Sequence, residues 1–241
     1  MGKDKLQRFK EMEGFKNVLQ PGFNEVYQNE YRLKGKWSSE YFKNTKPIVL
    51  ELGCGKGEYA VGLAERFPET NFIGIDIKGA RMWRGAKSAL EKGLNNVAFI
   101  RSSIDLIESI FDKDEISEIW LTFSDPQPKK PKKRLSSSLF LNRYQKFLKP
   151  DGIIHLKTDS NLLFEYSNAL AEQNNFFITF RSRDVYNENH LPEAVIGIQT
   201  FYEKQFLKSG KNIHYLEFKL NNKSLVIEPQ DFIEEQKKSK P

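Results

Sequence analysis

The sequence predicts an α/β fold: a mostly parallel, seven-stranded sheet with helices on both faces and one antiparallel closing strand. Three observations carry that prediction. Short apolar runs alternate with amphipathic stretches from residue 45 onward, the first run opens into a glycine-rich loop, and the last two runs follow one another without a helix of the earlier length between them. Parallel strands joined by crossover helices are covered on both faces, so each reads as an almost unbroken apolar run.

Taken in order, residues 1–44 mix charge with aromatics without a sustained period, which predicts a partly ordered N-terminal arm with one short helix. "PIVLELG" is the first strand and "EYAVGLAERF" the first helix. The unit recurs as "NFIGID" with "ARMWRGAKSALEKG", "NVAFI" with "IDLIESIF", "EIWLTFSD" with "SSLFLNRYQKFL", and "GIIHLKT" with "SNLLFEYSNALAEQ". "FFITFRSRDV" and "IHYLEFKL" complete the sheet. One domain is expected over 45–222, followed by a tail over 223–241 that ends in the solvated "KKSKP".

Composition narrows the class. The chain has 241 residues, 39% hydrophobic and 29% charged, enough for one large core. No apolar run approaches the roughly 20 residues that cross a bilayer, and the N-terminus lacks the apolar centre of a secretory signal, so the expectation is a cytoplasmic protein with no membrane partner. A single cysteine, Cys54, excludes an intrachain disulfide and, with three scattered histidines, argues against a metal site. Net charge is +6, with lysine and arginine concentrated at 129–134 and in the first forty residues, which modestly favours a polyanionic partner.

In such a sheet, ligands bind at the carboxyl ends of the strands, above all at the first strand-to-helix turn. That turn is "LELGCGKGEYA", where Gly53, Gly55 and Gly57 permit tight turning and close approach. It is neither a dinucleotide fingerprint, because position 58 is Glu, nor a P-loop, because the Gly-Lys-Ser/Thr ending is absent. The "E-L-G-C-G-K-G" form resembles the first motif of class I methyltransferases that use S-adenosylmethionine, whose sulfonium and amino group a carboxylate such as Glu51 would favour. Asp76, ending the second strand, stands where a carboxylate can accept both ribose hydroxyls, or where it can cap the helix that follows. Ser103, after the third strand, is the candidate beside the adenine ring, and Asp105 reads as a helix-start residue.

The fourth strand ends in "TFSDPQPKKPKKRL", one acid at the mouth of a proline-stiffened basic loop. Together with "FLNRYQKFLKPDG", "LKTDS" and "TFYE" in that order, this stretch resembles the bacterial tRNA (guanine-N7-)-methyltransferase family over about residues 47–219. The resemblance implies a Rossmann-like class I methyltransferase domain and transfer of a methyl group from S-adenosylmethionine to N7 of guanine 46 in the tRNA variable loop. By position it implies that Glu51, Gly53, Gly55, Asp76, Ser103 and Asp125 line the cofactor pocket. It further implies that Asp125 serves catalysis and that Lys129, Asp159, Thr200, Tyr202 and Glu203 bind the tRNA or its target guanine. This chain departs from the family pattern at Gln127, where Trp is usual, at Ser103, where Asp is common, and at Pro131 in the basic loop.

Ordinary structural roles compete at several positions. Thr200 to Glu203 also spells a helix capping box with Gly210 ending the helix, Asp159 precedes a helix, and His155 sits on a central strand as a buried residue. Chemically, N7 carries an in-plane lone pair, so placement can do most of the work and a carboxylate beside the ring can offset the charge that develops. Competing readings are a methyltransferase for an exocyclic amine or another RNA, a nucleotide-dependent oxidoreductase, and an RNA-binding module without turnover. Oligomeric state, monomer or homodimer, is left open.

Overall fold

The computed structural model describes residues 3–27, 30–220, 224–229 and 232. Strands β1 (Val18–Leu19), β2 (Ile48–Leu52), β3 (Asn71–Asp76), β4 (Val97–Arg101), β5 (Ile116–Thr122), β6 (Leu148–Thr158), β7 (Phe177–Ser182) and β8 (His214–Lys219) form one sheet in the order β1-β4-β3-β2-β5-β6-β8-β7. Pairs from β1 to β6 are parallel, and β8 runs antiparallel between β6 and β7. The seven expected strands form, and the antiparallel one is inserted inside the edge strand. An eighth was not anticipated: Val18 and Leu19 register against Phe99 and Ile100. Two residues leave no period-2 signature, so that edge is invisible in the sequence.

Alternation within the apolar runs explains why both faces are covered. Leu50, Leu52, Ile73, Ile75, Ala98 and Ile100 join one buried cluster, and Val49, Phe72, Val97 and Phe99 join the other. Helices α5 (Ser138–Tyr144) and α6 (Asn161–Gln173) cover the first face; α3 (Glu58–Arg66) and α4 (Gly79–Glu91) cover the second. "IDLIESIF" forms a 3₁₀ turn, Ile104–Ser109, instead of a full helix. Between β7 and β8 lie two short helices, α7 (Glu193–Ile196) and α8 (Phe201–Lys208).

The N-terminal segment packs on this frame. Helix α1 (Lys3–Glu13) lies against α4, with Glu11 accepting from Trp83 Nε1 at 2.8 Å and pairing with Lys87 at 2.6 Å. After the short helix α2 (Phe23–Tyr27), Trp37 opens a π-helical turn, is fully buried, and donates its indole N–H to the Ile110 carbonyl at 3.1 Å. Near the other terminus, Glu228 accepts from Ser138 Oγ and Tyr166 Oη, both at 2.7 Å.

The chain leaves β2 toward β3 and β4 on one side, then returns to β5 and β6 on the other. That reversal opens a crevice beyond the carboxyl ends of β2 and β5, where an open α/β sheet places its ligand.

Candidate active site

A cleft of about 790 Å³ occupies this crevice. Its floor is the turn after β2. Gly53, Gly55 and Gly57 all have positive φ, of 75°, 55° and 68°. They play two different parts. A Cβ on Gly53 would have Leu135 as its nearest neighbour at 3.5 Å, and one on Gly55 would meet only a carbonyl at 3.9 Å, so both would jut into open cleft. A Cβ on Gly57 would sit 2.5 Å from the Phe99 ring, and one on Gly85 of α4 would sit 2.5 Å from the Lys56 carbonyl. Gly57 is therefore a packing glycine at the start of α3, and Gly53 and Gly55 are the bare rim that a ligand can approach.

Three acids surround the rim. Glu51 is 4% exposed. Its carboxylate accepts from the Ala60 N–H at 2.9 Å and from Thr122 Oγ1 at 2.6 Å. Burial nevertheless pushes its pKa up to about 7, against the lowering effect of those two hydrogen bonds. Asp76 accepts from Gly55 N–H at 2.9 Å and from Lys78 N–H at 2.7 Å. It thereby ties the glycine turn to the end of β3 and leaves a second lone pair on each oxygen; the residue flanking α4 is Lys78, so Asp76 is not that helix's cap. Asp125 is exposed, and its Oδ1 accepts from Gln127 N–H at 2.9 Å, with no other hydrogen bond to the carboxylate among the described residues.

Ser103, Thr200 and Tyr202 also line the cleft. Ser103 caps the 3₁₀ turn by accepting from Asp105 N–H at 3.3 Å, and Asp105 pairs with Arg143 at 2.9 Å. Thr200 and Glu203 form the reciprocal capping box of α8. Three of the expected residues stand off the wall. Lys129 projects from the basic loop into solvent. Asp159 pairs with Lys211 at 2.6 Å. Glu203 is 0% exposed and pairs with Lys157 at 2.6 Å. Cys54 lines the cleft, but burial pushes its thiol well above the usual range, which keeps it a small protonated loop residue. Among the described residues no cluster of metal-binding side chains occurs.

A family model described as a putative methyltransferase matches residues 45–216. The tRNA (guanine-N(7)-)-methyltransferase of Christiangramia forsetii is 56% identical over 220 residues, which cover 90% of this chain and 98% of that one. The chain belongs to the tRNA (guanine-N7-)-methyltransferase family. Its counterpart in Bacteroides thetaiotaomicron is 50% identical over 234 residues, 97% of this chain and 92% of that one. Among solved structures, the 16S rRNA methyltransferase KamB superposes with a TM-score of 0.56 over 78% of this chain and 92% of that one. At 14% identity that likeness establishes the class I methyltransferase fold alone.

In this tRNA (guanine-N7-)-methyltransferase family member, several residues that shape the cleft carried no local signal. Thr122 anchors Glu51 across two strands, 71 positions away in sequence. Ile77, 62% exposed, and Ile104 offer apolar surface between Asp76 and Ser103. Lys56 sits 3.6 Å from the centre of the Phe201 ring, holding the start of α8 beside the glycine turn. Arg134, 1% exposed, donates from Nε to the Pro126 carbonyl at 2.9 Å and lies 4.2 Å over the Tyr166 ring, which pins the far end of the basic loop.

Proposed function

We propose that this protein methylates N7 of guanine 46 in the variable loop of tRNA, using S-adenosylmethionine and working in the cytoplasm with its substrate. The observation that carries the reading is one cleft in which a bare glycine rim and Asp76 stand at one end and Asp125, at the root of a basic loop, stands at the other. The donor half fits the cofactor's chemistry: unfilled space over Gly53 and Gly55, a carboxylate for ribose hydroxyls at Asp76, and apolar Ile77 and Ile104 for a purine face. When bound there, S-adenosylmethionine supplies an electrophilic methyl group.

The protein's own part is placement. Guanine N7 needs no deprotonation, so the site has to bring its lone pair into line and exclude water. Asp125 holds one oxygen in its turn with Gln127 and keeps the other for the guanine N1–H or N2–H, where its charge offsets the positive charge that grows on the ring. Thr200 and Tyr202 face the base from the opposite wall, and the half-exposed Tyr202 ring provides the stacking surface that Gln127 lacks. Glu51, deep under the turn, biases the cleft toward a cation, and Ser103 is a neutral hydrogen-bonding partner at the adenine end. Lys129 and Asp159, outside the cleft, are assigned to the tRNA around the target base.

The deciding experiment incubates the protein with labelled S-adenosylmethionine and unmodified tRNA, then cleaves with borohydride and aniline at 7-methylguanosine. Scission in the variable loop is expected. Label without scission would move the acceptor to another atom, and no label would leave an RNA-binding module. Within that assay Asp125→Asn preserves the acceptor for Gln127 N–H and removes the charge. We expect kcat to fall about 10²-fold, with Tm unchanged because the side chain is exposed. Full turnover by this variant would remove Asp125 from the mechanism.

A further inference from the structure

Lys157, next to last in β6, is a lysine kept from water: its side chain is 0% exposed. An ammonium has three hydrogens to donate. Here all three go to one stretch of chain, to Glu203 Oε1 at 2.6 Å, the Val195 carbonyl at 2.5 Å and the Ile198 carbonyl at 3.2 Å. Glu203, equally buried, also accepts from Tyr186 Oη at 2.8 Å and from Thr200 N–H at 3.3 Å. The backbone of Lys157 faces the other way. Its carbonyl accepts from Phe123 N–H at 2.8 Å, and Phe123, with φ of 49°, is where the chain turns out of β5 into Ser124 and Asp125.

One residue therefore ties both walls of the acceptor end. Its carbonyl holds the root of the Asp125 turn, and its ammonium holds the segment that carries Thr200 and Tyr202. A buried ion pair is seldom the most stable way to fill a core, since apolar residues of equal volume do as well or better. Stability alone does not account for this one. The segment is also tethered to α3, through Tyr59 Oη to the Ala194 carbonyl, Arg66 to the Gly197 carbonyl at 2.7 Å, and Phe201 N–H to Glu58 at 3.0 Å, so loss of the pair would loosen it without detaching it.

We infer that Lys157 and Glu203 are positioning residues: their buried pair sets the spacing between Asp125 and the Thr200–Tyr202 wall, and Glu203 acts through Lys157 rather than by touching the base. The inference rests on the proposed reading of the cleft and deepens it.

The test compares Lys157→Met, Glu203→Gln and the double variant Lys157→Met/Glu203→Gln. Each single change leaves a buried group without its partner, and misplacing the wall by an ångström is expected to cost about 10²-fold in kcat/KM for tRNA. The double variant leaves no unpaired charge. We expect it to recover at least about tenfold over Glu203→Gln by that relief, with S-adenosylmethionine affinity by calorimetry unchanged throughout. Amide hydrogen exchange across residues 195–203 should rise in the single variants and fall back in the double. If the double variant is no more active than Glu203→Gln, the carboxylate touches the substrate directly and the inference fails. Single variants with the exchange and kcat/KM of the unaltered protein would also overturn it. Should the singles fail to fold, Tyr186→Phe removes one donor to Glu203 without stranding a charge; raised exchange at 195–203 with raised KM is then expected, and no change in either sinks the idea. Exchange reads the clamp without turnover, so a chain that methylates no tRNA would refute the proposed function and leave the clamp to be judged on its own.

Discussion

At the scale of single residues, Glu51 is a carboxylate where one is costly. It lies under the glycine turn, 4% exposed, and burial raises its pKa to about 7, with Asp76 and Glu58 pushing the same way. An acid whose folded pKa lies above its unfolded value of 4.5 binds a proton more readily in the native state. It supplies its stability below pH 4.5 and loses it as pH rises toward 7. A cation in the cleft reverses that loss, because it favours the ionised form. Affinity for S-adenosylmethionine is therefore expected to tighten as pH rises through about 7, with a proton released on binding. Calorimetry in buffers of different ionisation enthalpy measures both. Glu51→Gln keeps a carbonyl oxygen for Ala60 N–H and turns its NH2 toward Thr122 Oγ1, which then accepts, and should flatten the pH dependence; an unchanged slope would show that Glu51 does not sense the ligand's charge.

At the scale of elements, the sheet is stitched by a polar network across β5, β6 and β8. His155 stacks on Trp120 with ring centres 4.0 Å apart, and its nitrogens meet Glu118 Oε2 at 3.1 Å and Tyr215 Oη at 2.8 Å, with Glu217 Oε2 at 3.4 Å. Burial opposes charge on the imidazole, but the bonds to Glu118 and Glu217 outweigh it and raise its pKa above 6.5. The bond from His155 in turn lowers Glu217 to about 2. The histidine's contribution is complete below pH 6.5 and lost above its raised value. The glutamate's is complete above pH 4.5 and lost as pH falls to about 2. Glu217→Gln should therefore cost most stability between pH 4.5 and 6.5, read as the shift in urea midpoint against pH. An equal cost at pH 9 would mean that the pair is not held by charge. The same strands mark what the sequence reveals. Both-face burial made β2 to β5 readable as apolar runs, and local spacing exposed the glycine rim and the capping box at Thr200 and Glu203. Partners far apart in sequence left no such trace. Thr122 under Glu51, Lys157 under Glu203 and the two-residue β1 depend on contacts across the sheet, so the box was legible and the burial of its acid was not.

At the scale of the molecule, a net charge of +6 matters less than where the chain spends it. The segment after β5 is anchored at both ends, by the Asp125–Gln127 turn and by the buried Arg134. Lys129, Lys130, Lys132 and Lys133 stand exposed between those anchors. Holding the backbone in advance lowers the ordering cost of presenting these ammonium groups to phosphates, while Asp125 at the loop's root keeps one oxygen that no described residue engages, the oxygen that the proposed mechanism gives to the base. The two tasks are therefore separable by experiment. Lys132 and Lys133 also line the cleft, so the variant that isolates the backbone task replaces Lys129 and Lys130 with serine, and should weaken tRNA binding by a similar factor for every tRNA tested. The slope of log affinity against log salt should fall by roughly 1.5, since each phosphate contact contributes a little under one unit. At saturating tRNA, kcat should stay near that of the unaltered protein. A collapse of kcat with an unchanged salt slope would place those lysines at the reacting base instead of along the backbone, and would shift the electrostatic work now assigned to Asp125 onto the loop itself.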